Sequence, residues 1–203
     1  ALAAQSDRPV VDEFAPVGSD IAPMPQAAVR QPAAGKGRLV KVETPVLEVW
    51  IDLLGGDIAR VQLPTYPISL EQPDTPFLLM DRSASRTYIA QSALIGSDGI
   101  DKTGARPLYE AASDNLTLTE GGELVLTTTL DDARVSKVFA FEPDSHLINI
   151  RYEVVNLATQ PKTMRLLTQI KRDRLPPPTD ETVPLAPSPY LGGALTTPDN
   201  NYK

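Results

Sequence analysis

The chain has 203 residues, 41% hydrophobic and only 5% aromatic, enough for one large domain or two small ones with a core mainly of Val, Leu, Ile and Ala. Its net charge of −7, with no contiguous Lys/Arg stripe, argues against a nucleic-acid or anionic-lipid binder. With no cysteine, disulfides and thiolate metal sites are excluded, while the compartment stays open.

Residues 1–37 read as a Pro/Ala-rich linker, with prolines at 9, 16, 23, 25 and 32 and no sustained periodicity. Such a segment buries too little apolar surface to offset its ordering entropy and is expected to be disordered. No charged n-region with an apolar h-region opens the chain, and no run approaches the ~18 apolar residues of a membrane helix.

From Arg38 the pattern changes to strand after strand. In Thr44 to Leu63, Leu47, Val49, Ile51 and Leu53 alternate with Glu48, Trp50 and Asp52. After Gly55-Gly56, Ala59, Val61 and Leu63 alternate with Asp57, Arg60 and Gln62, and Ile58 is an extra apolar residue. Period-two alternation predicts half-buried antiparallel strands, and the Gly-Gly supplies the positive φ of a tight turn. Asp57 stands where a carboxylate can bond the turn backbone. Trp50 shares a face with Glu48 and Asp52, so inter-sheet packing and a ligand groove are both open to it, packing being the commoner fate of tryptophan.

The best helical window, Ser69 to Leu79, is broken by Pro73 and Pro76. Further on, Leu116 and Leu118 alternate with threonines, and Gly121-Gly122 turns into Leu124, Leu126, Thr128 and Leu130. Asp131-Asp132 makes the next turn, and Val135, Lys137, Phe139 and Phe141 share one face. Ile148, Ile150, Tyr152 and Val154 are expected to point inward, with Asn149, Arg151 and Glu153 outward. A last alternating run holds Met164, Leu166, Thr168 and Ile170. Regular spacing with short turns predicts an all-β fold, a large twisted antiparallel sandwich. From Pro176 prolines keep the chain irregular, and Gly192-Gly193-Ala194-Leu195 is placed to begin one further strand.

Chemistry-bearing constellations are weak. His146 is the only histidine and sits at a turn-to-strand junction, so neither a multi-His metal site nor a partnered dyad can be built on it. Asp98 to Gly104 fails the spacing of a calcium loop, because Ile100 stands where an oxygen ligand is needed, and reads as a Gly/Asp-rich surface loop. Asp131-Asp132 reads as a turn rather than an acid/base pair, and Lys171-Arg172-Asp173-Arg174 as a solvated strand end. Neither Gly-Gly has a phosphate-loop frame, and no GxSxG or SxxK nucleophile motif occurs. Catalytic, cofactor-binding and metal residues are therefore all expected to be none.

Several stretches carry a resemblance. The hairpin Thr44 to Leu63 is followed by Leu63-Pro64-Thr65-Tyr66-Pro67, Pro76-Phe77-Leu78-Leu79, Tyr88-Ile89-Ala90-Gln91-Ser92-Ala93-Leu94-Ile95-Gly96, Arg106-Pro107-Leu108-Tyr109 and Leu195-Thr196-Thr197-Pro198-Asp199. In this order they resemble the large periplasmic domain of the bacterial YidC insertase family, with Ala93 for the family's second glycine and Thr196 for its serine. The resemblance implies the supersandwich architecture shared with galactose-mutarotase-like proteins. It also implies that residues 38–203 are the N-terminal part of that domain, incomplete at the C-terminus, with the membrane anchor before it absent. A non-catalytic module is implied, in a protein of the inner membrane that inserts and helps fold membrane proteins, alone or with the Sec translocon. Implied partners are Sec accessory subunits such as SecF and nascent membrane-protein substrates, with membrane contact through flanking segments and no nucleic acid. Two other readings attach to a β-sandwich of this kind: a carbohydrate-binding or mutarotase-like protein, whose chemistry typically needs two histidines and a carboxylate, and a chaperone-like cleft that takes up extended peptide by strand addition.

Overall fold

The computed structural model describes residues 38–102 and 105–175. Eleven strands are found among them and no helix: β1 (Leu39–Glu43), β2 (Glu48–Asp52), β3 (Asp57–Ser69), β4 (Gln72–Arg82), β5 (Thr87–Ile95), β6 (Glu110–Ala111), β7 (Asn115–Thr117), β8 (Gly122–Leu130), β9 (Ala133–Phe141), β10 (Ile148–Asn156) and β11 (Arg165–Arg172). They form a seven-stranded sheet in the order β11-β5-β4-β3-β2-β1-β7 and a four-stranded sheet in the order β10-β9-β8-β6. All neighbours are antiparallel except β1 and β7. The all-β sandwich expected from the alternation is the fold. The linker 1–37 and the stretch from Pro176, including Gly192 to Asp199, lie outside the described residues.

The sheets pack through the faces that the period-two pattern marks. Val40, Val42, Leu47, Val49, Ile51, Ile58 and Val61 come from the larger sheet and its turns, Leu124, Leu126, Phe139 and Phe141 from the smaller, and Tyr109 joins them. All are buried.

The extra apolar residue Ile58 has a structural reason. Trp50 pairs with Arg60 but Ile51 pairs with Ile58, so the register shifts there and Ala59 is the surplus residue of a bulge. The bulge lets Ile58 and Val61, three apart, both face the core. Trp50 points the other way. Its ring stands on the outer face with Lys41 Nζ 5.1 Å and Arg60 Cζ 5.0 Å from its centroid, in cross-strand cation–π contacts. Inter-sheet packing is therefore not its role.

The window Ser69 to Leu79 is the end of a long β3–β4 hairpin, largely solvent-exposed from Pro64 to Pro76. The inward expectation for β10 is corrected in part. Ile148 and Tyr152 are half-buried, but Ile150 and Val154 are exposed, at 37% and 42%. The alternation places Ile150 on the face toward the larger sheet, where it shares a cavity wall with Tyr152 and Leu166. Burial fails because β10 is the edge of the narrower sheet, and among the described residues nothing packs over it. On β11, Leu166 and Ile170 are exposed for the same reason.

Truncation costs should follow this geometry. Ile51→Ala, at a fully buried site, is expected to cost about 2–5 kcal/mol. Ile150→Ala should cost well under half as much in urea unfolding, and equal losses at both sites would contradict the open edge.

Candidate functional site

The unusual chemistry lies where the two sheets meet beside the Gly55-Gly56 turn. Lys137, in the middle of β9, is fully buried. Its Nζ donates to the carbonyl of Gly55 at 3.1 Å and to that of Ser92 at 3.4 Å, both on the larger sheet's side. Arg106 approaches the same carbonyls, its Nη2 donating to Gly55 O at 2.9 Å and Ser92 O at 3.1 Å. The same nitrogen donates to Asp57 Oδ1 at 2.7 Å, and Arg106 Nε lies 2.9 Å from Asp101 Oδ1 as an ion pair.

Each carboxylate is also held from another side. Asp57 Oδ2 accepts from Gln91 Nε2 at 2.6 Å, and Asp101 Oδ2 from the Leu94 amide at 2.9 Å. Two cations thus face two anions, so burial leaves no net charge to solvate. Tyr109 is buried beside them, with no hydrogen-bond partner for its Oη among the described residues, and Ser92 Oγ shares a 3.0 Å hydrogen bond with Tyr152 Oη.

Glycine is required at this turn twice over. Gly55 and Gly56 have φ of +83° and +62°. A Cβ on Gly55 would also stand 2.3 Å from Arg106 Nη2, and one on Gly56 2.8 Å from Lys137 Cδ. The turn is therefore open both for its own backbone and for two cationic side chains to reach its carbonyls. Asp57 does not bond the turn backbone as expected; Asp52 does, its Oδ1 accepting from the Leu54 amide at 2.9 Å. Arg38 grips Asp52 through both oxygens at 2.6 Å, and Arg82 lies 2.9 Å away.

Burial governs the proton equilibria. Desolvation pushes the Lys137 ammonium down to about 8, against the pull of Asp57. Desolvation raises the Asp101 carboxyl, opposed chiefly by Arg106. Burial also raises the phenols of Tyr109 and Tyr152. Lys137, Arg106 and Asp101 in this arrangement hold backbone groups of the turn and of β5. No group of three or more His, Cys, Asp or Glu that could hold a metal occurs among the described residues.

Beside the cluster runs a trench between the sheets, lined by no Asp, Glu, Lys or Arg. One part, about 400 Å³, is walled by Gly56, Ser92, Ile150, Tyr152, Leu166 and Ile170. A second, about 380 Å³, is walled by Leu47, Leu63, Tyr66, Leu79, His146 and Ile148. Both share Ile58 and Ala90 as floor.

His146 is exposed at its junction, its ring edge-on to Tyr66 at 5.6 Å between centroids. Asp98 accepts from the Thr163 amide at 2.8 Å, as a loop residue does, but Asp101 of the same stretch turns inward to the cluster. Residues 103 and 104 lie outside the described residues. Asp131-Asp132 is the β8–β9 turn, with Asp132 paired to Lys162. The Lys171 to Arg174 stretch is the exit of β11, where Asp173 accepts from the Thr87 amide at 2.5 Å. The sequence signals this cluster only through a lysine at position 137 in an otherwise apolar period-two face with Val135, Phe139 and Phe141.

Three of the chain segments that meet here, the Gly-Gly hairpin, the Tyr88 to Gly96 strand and the Arg106 to Tyr109 step, are among the stretches that carry the family resemblance. The family model of the YidC periplasmic domain matches residues 39–203. The chain belongs to that family. The membrane protein insertase YidC of Cellvibrio japonicus is 40% identical over 173 residues, covering 84% of this chain and 31% of that protein. Its counterparts in Stutzerimonas stutzeri and Alcanivorax borkumensis are 38% and 40% identical over 186 and 181 residues, covering 90% and 87% of this chain. The chain spans about a third of the length of the curated relatives it matches. In this YidC periplasmic domain three of the matching motifs converge on a clamp between the sheets.

The sign of its pH dependence is fixed. Folded Lys137 releases its proton near 8, below its unfolded value of 10.5, so the unfolded state binds more protons between those values. Its burial cost is therefore greatest below pH 8 and is relieved as pH rises. Above about pH 10 the raised tyrosine phenols begin to oppose the gain. Stability should rise by about 2 kcal/mol between pH 8 and 10 on account of this one group. Urea unfolding across that window measures it, and the rise should be missing in Lys137→Met.

Proposed function

We propose that this chain serves, on the periplasmic face of the bacterial inner membrane, as the non-catalytic part of an insertase that inserts membrane proteins and helps them fold. The observation that carries this reading is the family match across residues 39–203, together with relatives whose names state insertase function. A positioning and contact role suits the chemistry described. The ionic groups at 57, 101, 106 and 137 are paired with one another and with backbone in the inter-sheet clamp, Asp57 and Lys137 buried and Asp101 and Arg106 half-buried. Exposed apolar side chains lie instead at the tip of the β3–β4 hairpin, at Ile68 and Leu70, and at the entry to β10, at Leu147. The proposed partners are Sec accessory subunits such as SecF and nascent membrane proteins, met on such surfaces. The multi-pass membrane part of the protein is proposed to bring this domain to them.

Photo-reactive residues at Leu70 and Leu147, in an insertase carrying this domain, test the contact role. In inner-membrane vesicles synthesising a membrane protein, adducts to a Sec accessory subunit or to the nascent chain are expected. Unlabelled partners at both sites during active insertion would overturn it. Mutarotation of galactose by the purified chain above the buffer rate would overturn the non-catalytic part.

A further inference from the structure

We propose that one end of the larger sheet, where Arg38, Arg82, Arg86, Lys171, Arg172 and Arg174 gather, rests on anionic phospholipid headgroups, with the β3–β4 hairpin directed away from them. The choice of a bilayer as partner rests on the function proposed above, which sets the domain at a membrane face; the charge arrangement stands without it. Antiparallel pairing brings these residues together. β1 and β5 start, and β2, β4 and β11 end, at the same end of the sheet. Arg38 and Arg82 meet there on Asp52. Arg82 stands opposite Thr87 in the ladder, and Thr87 exchanges two bonds with Asp173, its amide donating to Oδ2 at 2.5 Å and its carbonyl accepting from the Asp173 amide at 2.7 Å. Arg172 lies 5.3 Å from the centroid of the Tyr88 ring. The Thr87 and Leu175 amides, and then Arg86 and Arg172, hold the Asp173 carboxyl below its ordinary range, which places both guanidiniums around it.

The carboxylates interleaved with these six cations are Asp52, Asp81 and Asp173, and they do not balance them. Asp52 is shared by two guanidiniums, and the oxygens of Asp173 accept from the Thr87 and Leu175 amides. Asp57, at the same end, is taken by Arg106 in the clamp. A positive excess therefore stands at this end of a chain whose net charge is −7. Net charge governs attraction at long range. At contact, charges more than about 10 Å away are screened at 0.1 M salt, and an anionic surface touching this end meets the local excess. The β3–β4 hairpin is the reverse. No Lys or Arg occurs from Val61 to Met80, and Glu71 and Asp74 stand near its tip at the opposite end of the strands. The sheet is thus polarised along its strands, and an anionic plane would attract one end and repel the other.

Exposure and shape favour a bilayer over a peptide. Lys171, Arg172 and Arg174 are exposed, and the turn Ser83-Ala84-Ser85 between Arg82 and Arg86 is exposed, small and free of carboxylates. None of the six cations lines either part of the trench. They stand across the strand ends rather than along one ladder edge, whereas an extended peptide is captured along an edge or in a groove. A headgroup layer requires only that cations come within a screening length of it. Leu175, 48% exposed beside Arg174, adds an apolar side chain of the kind that enters the headgroup boundary.

Co-sedimentation of the 203-residue chain with vesicles of about one-third phosphatidylglycerol in phosphatidylcholine tests the proposal. Binding is expected at about 50 mM salt, release at about 300 mM, and no binding to phosphatidylcholine alone. Arg172→Gln/Arg174→Gln should weaken binding about 25-fold, or about fivefold for each cation removed. Arg134→Gln/Arg151→Gln, at exposed positions of the smaller sheet, changes net charge equally and should weaken it by no more than about threefold. Arg172→Lys/Arg174→Lys should bind as the unmodified chain does. Arg38 and Arg82 are left in place because they hold Asp52. Should a variant fail to fold, the salt and lipid dependence of the unmodified chain decides alone. No binding to the anionic vesicles, equal binding to neutral ones, or equal losses in the two glutamine variants would overturn the proposal. Capture of soluble polyglutamate through Arg172 and Arg174 without vesicle binding would assign this end to an acidic protein segment, and overturns it too. Adducts from Leu70 and Leu147 without vesicle binding would leave the insertase reading standing and this orientation not.

Discussion

Two cations from different parts of the chain converge on two backbone carbonyls, and the relation between the sheets rests on that convergence. Gly55 O and Ser92 O each accept from Lys137 and from Arg106. Lys137 belongs to the smaller sheet, while Ser92 belongs to the larger and Gly55 to the turn between two of its strands. Hydrophobic contact between sheets is non-directional and tolerates sliding, whereas a hydrogen bond to a fixed carbonyl does not. The ammonium thus sets where β9 lies against the β2–β3 turn. Its burial is tolerable only because Asp57 and Asp101 balance the two positive charges and have further donors of their own. Removing either anion would leave an excess cation in the interior, which is a larger penalty than the pair's net contribution.

Much of the sandwich was legible because one face of each strand is buried, and period two then has a physical cause. Val135, Phe139 and Phe141 on β9, and Leu124 and Leu126 on β8, lie inward as the alternation implies. The expectation failed where burial has no second layer to supply it. Ile150 and Val154 alternate as well as their neighbours do, yet β10 is an edge strand among the described residues, and alternation reports which face an apolar residue takes without reporting what covers that face. The bulge at Trp50 and Ile51 was visible only as a surplus apolar residue, Ile58. Local spacing also could not assign the turn carboxylate. Asp52 and Asp57 flank the same turn, and the choice between them depends on Gln91 and Arg106, far along the chain.

The cluster was hidden for a related reason. Its members at 57, 91, 92, 101, 106 and 137 share no spacing, since strand pairing and sheet packing bring them together. The nearest thing to a signal was Lys137. A lysine in line with Val135 and Phe139 must either break the buried face or carry its partners with it. Read as one more outward polar residue it says nothing; read as a buried charge it demands acidic and carbonyl acceptors from the opposite layer.

That demand also gives three of the stretches that carry the family resemblance a part in the clamp. The turn Gly55-Gly56 has to admit two cations at their closest approach, which no side chain on either residue would permit. Gln91 and Ser92 supply a donor and an acceptor from β5, and Arg106 and Tyr109 come from the connection that runs on to the second sheet. The Gly-Gly hairpin, the Tyr88 to Gly96 strand and the Arg106 to Tyr109 step are parts of a single joint, and a change in one alters the electrostatic balance of the others. The carboxylates, the guanidinium and the ammonium bond one another and backbone, and the neighbouring trench is walled by Ile, Leu, Ala and Tyr together with Gln91, Ser92, Thr168 and Gln169. The arrangement fixes one sheet on the other, and so holds the exposed hairpin and edges at a constant geometry for whatever they meet.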